Sequence, residues 1–250
     1  IYSIMLSQPK IVIGLTTIPN RINLLEPTLD SLMNQSRKPN KIYLYIANYY
    51  KRFDQKFSHT SLPSFLEKYN LQIKFGKDYG PISKLFVALQ NEPSNNTFIV
   101  TCDDDCLYDK NWLSTLEKGI IKYPNCAIGL RGRKLEHSLN YSKSKCFLSQ
   151  NIEKDIEVDI VTAVGGWIYQ KNLFPPNYIE MWEKAQTQNP FIFFNDDIWI
   201  SGNLAEKKIK RIVVKGKVKF KTCERPAALC QLKTQLQQTN LHVKLFKKFW

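Results

Sequence analysis

Two acidic clusters, Asp103-Asp104-Asp105 and Asp196-Asp197, are the residues of this 250-residue chain best suited to chemistry. The first lies in Thr97–Tyr108 (TFIVTCDDDCLY), directly after the apolar run Phe98-Ile99-Val100. A run of β-formers like this reads as a buried strand. Three adjacent carboxylates repel one another and are costly to bury unpaired, so at a strand's carboxyl end they either form a solvated turn or hold a cation. A hard divalent metal takes oxygen ligands and carries phosphate oxygens on its free positions. Asp103 and Asp105 share a face if the segment is extended. One can then hold a ribose hydroxyl while the other binds the metal, which leaves Asp104 least tied to a role.

The second cluster opens the amphipathic stretch Ile198–Glu206. Asn195 or Asp196 suits a helix N-cap. Two carboxylates exceed what capping needs, so one is free to act as a general base on an attacking hydroxyl, and the positive end of the helix favours its ionised form. Three further polar segments carry suitable groups. In TTIPNR, Thr16 and Thr17 offer hydroxyls and Arg21 a planar cation for phosphate. In DYGPISK, Asp78 can accept from a base or ribose, and Lys84 can meet a phosphate as a point charge. In VGGW, Gly165 and Gly166 permit close approach of a ligand to the backbone, and Trp167 offers a flat apolar face to a sugar ring. Of the three histidines, His59 and His137 fall in loops, while His242 lies in a tail that could return a metal ligand.

The elements that must position these groups read as α/β. Lys10–Leu15 is a strand buried on both faces. The spacing of Ile22, Leu25, Leu29, Leu32 and Met33 predicts a helix up to Gln35, and Lys41–Ala47 a second strand. This β-α-β unit implies a right-handed crossover and a parallel sheet. Asn48–Ser61 is an irregular aromatic and basic loop of a length more often functional than idle. Pro63–Tyr69 reads as a short helix, Leu71–Phe75 as a strand, and the segment from Pro81 as a helix, with Ile82, Leu85, Phe86 and Leu89 on one face. Thr97–Cys102, Cys126–Leu130 and Glu157–Thr162 are strands, Asp109–Tyr123 and Tyr178–Ala185 helices, and Arg131–Glu153 a polar excursion. Lys210–Val214 and Lys217–Phe220 are basic strands or strand edges. The polar segments at strand ends or helix starts are expected at one edge of the sheet, where open α/β folds bind ligands.

The composition, 43% hydrophobic and 23% charged, is that of an ordinary globular chain. From Glu206 onward the chain carries +11 of its formal +14 charge, which favours an anionic partner. The division expected is a domain over 1–220 and a basic extension over 221–250 that packs on the domain or on a membrane surface. Leu241–Trp250 (LHVKLFKKFW) has the mixed character of an interfacial helix. Six cysteines form no CxxC pair and no zinc-like spacing, which suits reduced thiols and a cytoplasmic setting. No apolar run reaches the length of a membrane span. The chain begins with Ile1 rather than Met, as a fragment would.

TTIPNR after the first strand, the strand-borne DDD, VGGW and the late NDDIWIS together resemble the GT-A-fold glycosyltransferases, in particular the broad family 2-like group that uses nucleotide-sugar donors in polysaccharide assembly. The resemblance spans about Lys10 to Val214 and implies a Rossmann-like, mostly parallel sheet flanked by helices. DDD resembles the DxD metal motif. Asp103 would contact the nucleotide, with Asp104 beside it, and Asp105, with Asp103, would carry Mn2+ or Mg2+ against the diphosphate. Thr16, Thr17, Pro19 and Arg21 would line the nucleoside site, with Asp78 and Lys84 near it. Asp197, or else Asp196, would deprotonate the acceptor hydroxyl for an in-line, inverting transfer; a retaining member would not need that base. The pattern departs from many relatives in having only His242 as a late histidine ligand. The implied partners are a nucleotide-sugar donor and a glycan or lipid-linked acceptor at the inner membrane face. Two other readings remain: a two-metal nucleotidyl- or phosphotransferase, and a nucleic-acid-binding module built on the basic tail, which would leave DDD and NDD without work.

Overall fold

The computed structural model describes residues 8–227 and 235–250; Cys230 and the rest of 228–234 in the basic C-terminal stretch lie outside them. The first half of the chain alternates strand and helix. β1 (Ile11–Thr16) leads to α1 (Glu26–Met33), then β2 (Lys41–Ala47), a small hairpin of β3 (Tyr49–Tyr50) and β4 (Gln55–Lys56), and β5 (Leu71–Gly76). α2 (Ser83–Asn91) leads into β6 (Phe98–Thr101) and β7 (Cys106–Tyr108). α3 (Trp112–Lys122), β8 (Ala127–Gly129), β9 (Arg131–Lys134), β10 (Lys145–Leu148), β11 (Ile156–Glu157), β12 (Ile160–Val161) and β13 (Trp167–Gln170) follow. The chain closes with α4 (Tyr178–Gln188), α5 (Asp196–Glu206), β14 (Arg211–Val213), β15 (Phe220–Thr222) and α6 (Gln235–Leu245).

Eight strands form the central sheet in the order β11-β14-β8-β13-β6-β1-β2-β5. β6, β1, β2 and β5 run parallel, while β13 lies antiparallel between β6 and β8. The period-two alternation of β1 places Ile11, Ile13 and Leu15 in one core and Val12 in the other. α1 and α3 cover the first face through Leu29, Leu32, Trp112 and Leu116. α2, α4 and α5 cover the second through Phe86, Trp182 and Leu204. Each such fully buried large side chain contributes about 1.5–3 kcal/mol relative to exposure. Gly14 matters to this layering, because a Cβ there would lie 1.7 Å from the Lys84 carbonyl oxygen. The glycine lets α2 lie directly on β1, and so brings Lys84 to the sheet's carboxyl edge.

Local structure departs from the sequence pattern in three places. The helix expected from Ile22 to Gln35 is broken into a short 3-10 turn at Ile22–Leu24 and α1, because Pro27 in the first turn cannot extend a helix backwards. Arg131–Glu153, expected as an excursion, contains β9 and β10, which with β12 make a separate antiparallel sheet. Its residues RGRK carry no apolar period, since this sheet is held by backbone pairing at the side of the core. Glu157–Thr162, expected as one strand, is split between β11 in the main sheet and β12 in the small one. Among the described residues, no helix is long and apolar enough to cross a membrane.

Candidate active site

Thr16 and Thr17 follow β1, Asp78 follows β5 and Asp103–Asp105 follow β6, so the parallel register delivers all of them to one edge. α5 enters from the opposite wall. Between them lies a cavity of about 930 Å³ lined by these residues and by Arg21, Lys84, Asp196 and Asp197. Its rim is completed by residues 222–224 and Ala227. β15 pairs antiparallel with β7, and the Cys223 amide donates to the Asp105 carbonyl at 2.6 Å. Arg21 Nε donates to the Pro226 carbonyl (2.8 Å) and Arg52 Nη1 to that of Ala227 (2.7 Å), so two arginines hold this returning strand over the cavity.

The three carboxylates of the triplet have different surroundings. Asp104 is buried, 6% exposed, and receives Thr17 Oγ1 and Arg21 Nη1, each at 2.7 Å. Burial raises its pKa and Arg21 opposes the rise. Thr28 Oγ1 also donates to its carbonyl, at 3.1 Å. Asp104 therefore locks the β1 turn to the β6 turn while lining the cavity. Asp103 receives Lys84 Nζ at 2.9 Å. Asp105 meets the same Arg21 Nη1 at a longer 3.4 Å and accepts from the Cys106 thiol at 3.6 Å. Burial, then the neighbouring Asp103 and Asp104, push its pKa up to about 6. Charge at Asp105 is thus the least compensated of the three, which is the electrostatic condition for cation binding. Ligand atoms of Asp103, Asp105 and Cys106 lie within 4.8 Å of one another. The two carboxylates supply the oxygen donors that a hard divalent ion requires, so the residues present fit Mn2+ or Mg2+.

Across the cavity, α5 begins at Asp196, with Asn195 at the N-cap position. Asn195 does not cap through its side chain; its Oδ1 accepts from Thr239 Oγ1 of α6 at 2.8 Å. Both carboxylates therefore sit in the first helical turn, at the positive end of the dipole. Asp196 is ion-paired with Lys84 Nζ at 2.9 Å. Lys84, 5% exposed at its side chain, so bridges the two acidic clusters. Burial alone would lower its pKa, but Asp103, Asp196 and Asp197 together raise it well above the usual lysine value. Among the described residues Asp197 carries no salt bridge; its Oδ1 accepts from the Ala163 amide at 3.0 Å. Burial, and then the Asp196 charge, push its pKa up to about 8, while Lys84 works against the rise. A carboxylate with its proton affinity raised in this way is a strong acceptor in its ionised form, and that form grows as pH rises toward 8.

Several expected residues take other places. Trp167 is 0% exposed, its indole N–H donates to the Arg131 carbonyl, and its ring covers Gly129. It is a core side chain and offers no face to a sugar. Gly165 and Gly166 have φ of +101° and +83°, but a Cβ at either would strike Phe220 or Trp112, so close approach there is by protein and not ligand. Pro19 does not line the cavity, although Ile18 does. Asp78 lines it with both oxygens already accepting, from the Lys51 and Gly80 amides, each at 2.9 Å. Burial raises its pKa. Thr16 Oγ1 donates to the Tyr45 carbonyl. His242 is buried on α6 with neither ring nitrogen hydrogen-bonded, and burial lowers its pKa to about 4. It is not among the cavity-lining residues or the metal-ligand cluster.

Sequence reasoning missed the cavity-lining side chains Tyr50, Arg52, Phe53, Tyr141, Phe193 and Phe194. The aromatic and basic loop 48–61 carried a signal for the first three. Tyr141 lies in the excursion that showed no pattern, and Phe193 and Phe194 in a segment that reads as core.

No protein-family model and no curated protein sequence matches the chain. In structure it is similar to GalNAc-T7 solved with UDP, GalNAc and Mn2+, with a TM-score of 0.61 and 12% identity over 94% of this chain and 47% of that one. It is also similar to S. aureus TarS 1–349 in complex with UDP, with a TM-score of 0.50 and 16% identity over 84% of this chain and 59% of that one. The chain thus spans about half the length of these neighbours. At such identities the likeness is one of fold, and the fold is the GT-A fold that the sequence motifs resemble.

Proposed function

We propose that this chain is a glycosyltransferase that moves a sugar from a nucleoside-diphosphate donor to a hydroxyl of a glycan or lipid-linked acceptor. The observation that carries the reading is the pair of unlike carboxylates facing one cavity: Asp105, charged and poorly compensated at the end of β6, and Asp197, proton-seeking at the start of α5. GalNAc-T7, with the same fold, is solved with UDP, GalNAc and Mn2+. Asp105 and Asp103 would hold Mn2+ or Mg2+, which supplies Lewis-acid stabilisation of the departing diphosphate. Thr17, Arg21 and Asp78 wall the nucleoside end of the cavity. Asp197 takes the proton of the acceptor hydroxyl as its oxygen attacks the anomeric carbon. The bond from that carbon to the diphosphate oxygen breaks in line, and the configuration inverts.

Lys84 favours this reading over a two-metal phosphotransferase. Its ammonium already stands between Asp103 and Asp196, where a second ion would have to bridge the acidic clusters. Peripheral attachment to an anionic membrane fits the far side of α6, where Leu241 (55% exposed) and Leu245 (53%) stand beside Lys244.

The test is a panel of nucleotide-sugars assayed for Mn2+-dependent hydrolysis and thermal stabilisation. At least one donor, and its nucleoside diphosphate, should stabilise the protein with Mn2+ and not with EDTA, and Asp105→Ala should abolish that difference. Failure of every donor to bind with or without metal overturns the proposal.

A further inference from the structure

The wall of the cavity beside Asp197 contains a phenol for which neither the donor nor the metal has a use. Tyr141 lies in the short turn Tyr141–Lys143 and lines the cavity with Ala163, Val164 and Ile198. Its backbone is fixed from two sides. The Asn140 side chain accepts from the Ser142 amide at 2.9 Å, and Asn240 of α6 accepts the Tyr141 amide at 2.8 Å. Its ring is fixed as well, with the Arg133 guanidinium 4.8 Å from the centroid and Ile160, Ile198 and Val243 packed nearby. Its hydroxyl makes no hydrogen bond with any described residue. The Asp197 carboxylate is close enough for its charge, together with burial, to raise the phenol's pKa, so the hydroxyl stays protonated as a donor. A rigid ring with an unused donor beside the candidate base is a binding arrangement.

Resting on the glycosyltransferase reading above, we infer that Tyr141 and Asp197 together form the acceptor subsite, and that its occupant is a pyranose ring. In this subsite the Tyr141 hydroxyl donates to an oxygen of the acceptor sugar, while a neighbouring sugar hydroxyl points to Asp197. The apolar wall of Ala163, Val164 and Ile198 takes the C–H face of the ring, as sugar sites do by pairing a few directed polar groups with apolar surface. α6 acquires a role: through Asn240 and Thr239 it sets both the Tyr141 turn and the Asn195 start of α5, and so holds the two halves of the subsite in register.

The experiment uses the full chain with Mn2+ and octyl β-glycosides of glucose, galactose and N-acetylglucosamine as probes. Binding is followed by saturation-transfer NMR in the presence of UDP, and transfer with whichever nucleotide-sugar the donor panel identifies. Tyr141→Phe keeps the ring and its packing and removes only the donor. It should weaken glycoside binding and lower kcat/KM for the glycoside about 3- to 10-fold, the worth of one hydrogen bond, with UDP affinity changing less than about twofold. An equal effect on UDP and glycoside would mean a general structural role, and no effect on the glycoside would mean the hydroxyl points elsewhere; either overturns the inference. Donor hydrolysis without binding or transfer to any glycoside overturns the pyranose subsite but leaves the glycosyltransferase reading standing. Absence of any donor hydrolysis removes both.

Discussion

Lys84→Met tests whether one buried ammonium holds the two acidic clusters together. Methionine keeps the unbranched stem and removes the charge. Lys84 Nζ stands 2.9 Å from both Asp103 Oδ1 and Asp196 Oδ2, with side-chain exposures of 5%, 20% and 8% for the three groups. Breaking a buried pair by deleting one partner costs about 3–5 kcal/mol, because the remaining charge is left uncompensated. Two carboxylates are orphaned here, but Asp103 is the wetter and recovers part of its loss from solvent. The expected destabilisation is therefore about 3–5 kcal/mol, not twice that. Asp196→Asn alone leaves Lys84 paired with Asp103 and should cost about 1–2 kcal/mol, as for a lost hydrogen-bonded charge contact. In Lys84→Met/Asp196→Asn one orphan has become a neutral isostere. The double variant should consequently be more stable than Lys84→Met by about 1–3 kcal/mol, a coupling of the size seen between directly contacting groups. Urea unfolding of the metal-free chain at pH 7.5 measures all four corners of the cycle. A Lys84→Met loss below about 1 kcal/mol, or strict additivity in the double variant, would falsify the bridging role.

Asp197→Asn separates the base from its fold cost. Transfer should fall about 10²- to 10⁴-fold, the range for loss of a positioned general base. Because the folded pKa of Asp197 is raised, its protonated form is the one that the fold favours. That stability is present below the ordinary aspartate pKa of about 3.9 and is lost as pH rises through about 8. The Asn variant should therefore gain stability over wild type as pH rises across this window, on the order of 5 kcal/mol at pH 8, and wild-type transfer should increase through the same range. A gain that does not grow with pH would refute the cause given for the shift. Arg21→Met removes the partner of buried Asp104 and the anchor on Pro226 together. It should cost about 2–4 kcal/mol and open residues 220–227 to limited proteolysis, whereas unchanged cleavage would show that β15 and Arg52 hold that segment without Arg21. Leu241→Asp/Leu245→Asp should abolish co-sedimentation with vesicles containing anionic lipid without changing the melting temperature, since both residues are exposed; wild type that fails to bind such vesicles refutes membrane attachment through α6.

The legible part of this protein is the part written in local periodicity. β1, β2 and β6 are buried and read as apolar runs, β5 is the half-buried edge strand, and their parallel order follows from the β-α-β spacing. Any polar residue directly after them was bound for one edge, which is why Thr16, Thr17, Asp78 and Asp103–Asp105 were found. Trp167 misled because an aromatic after two glycines looks the same whether the glycines admit a ligand or another ring; here they admit Trp112 and Phe220. Tyr141 was invisible because its turn is held by Asn240, 99 residues away, and no local pattern records such a contact. The β9–β10 hairpin was missed for a related reason: its strands bury little, and backbone pairing leaves no mark on side-chain sequence.

What the structure adds to the acidic triplet is an order among equal letters. Three consecutive aspartates are chemically identical in sequence; alternation along an extended segment and the family resemblance favour Asp103 and Asp105 over Asp104 but assign no counter-charge to any of them. In the fold each meets a different counter-charge. Asp104 faces Arg21 and Thr17 at 2.7 Å and is consumed in holding two loops together. Asp103 shares Lys84 with Asp196. Asp105 has a 3.4 Å contact with an arginine already committed elsewhere and a weak thiol donor, Cys106, at 3.6 Å. A cation arriving at this edge gains most where negative charge is least satisfied, at Asp105, and can share Asp103 because that carboxylate has exposure to spare. Neutralising Asp105 in this way removes a negative charge from an enclosed site, which strengthens the hold on a diphosphate. On the proposed function Lys84 completes the division, since a fixed cation between the clusters would keep a metal on the β6 side and leave Asp197 free of it. The same cavity wall can then carry a charge sink for the leaving group at one end and a proton acceptor at the other.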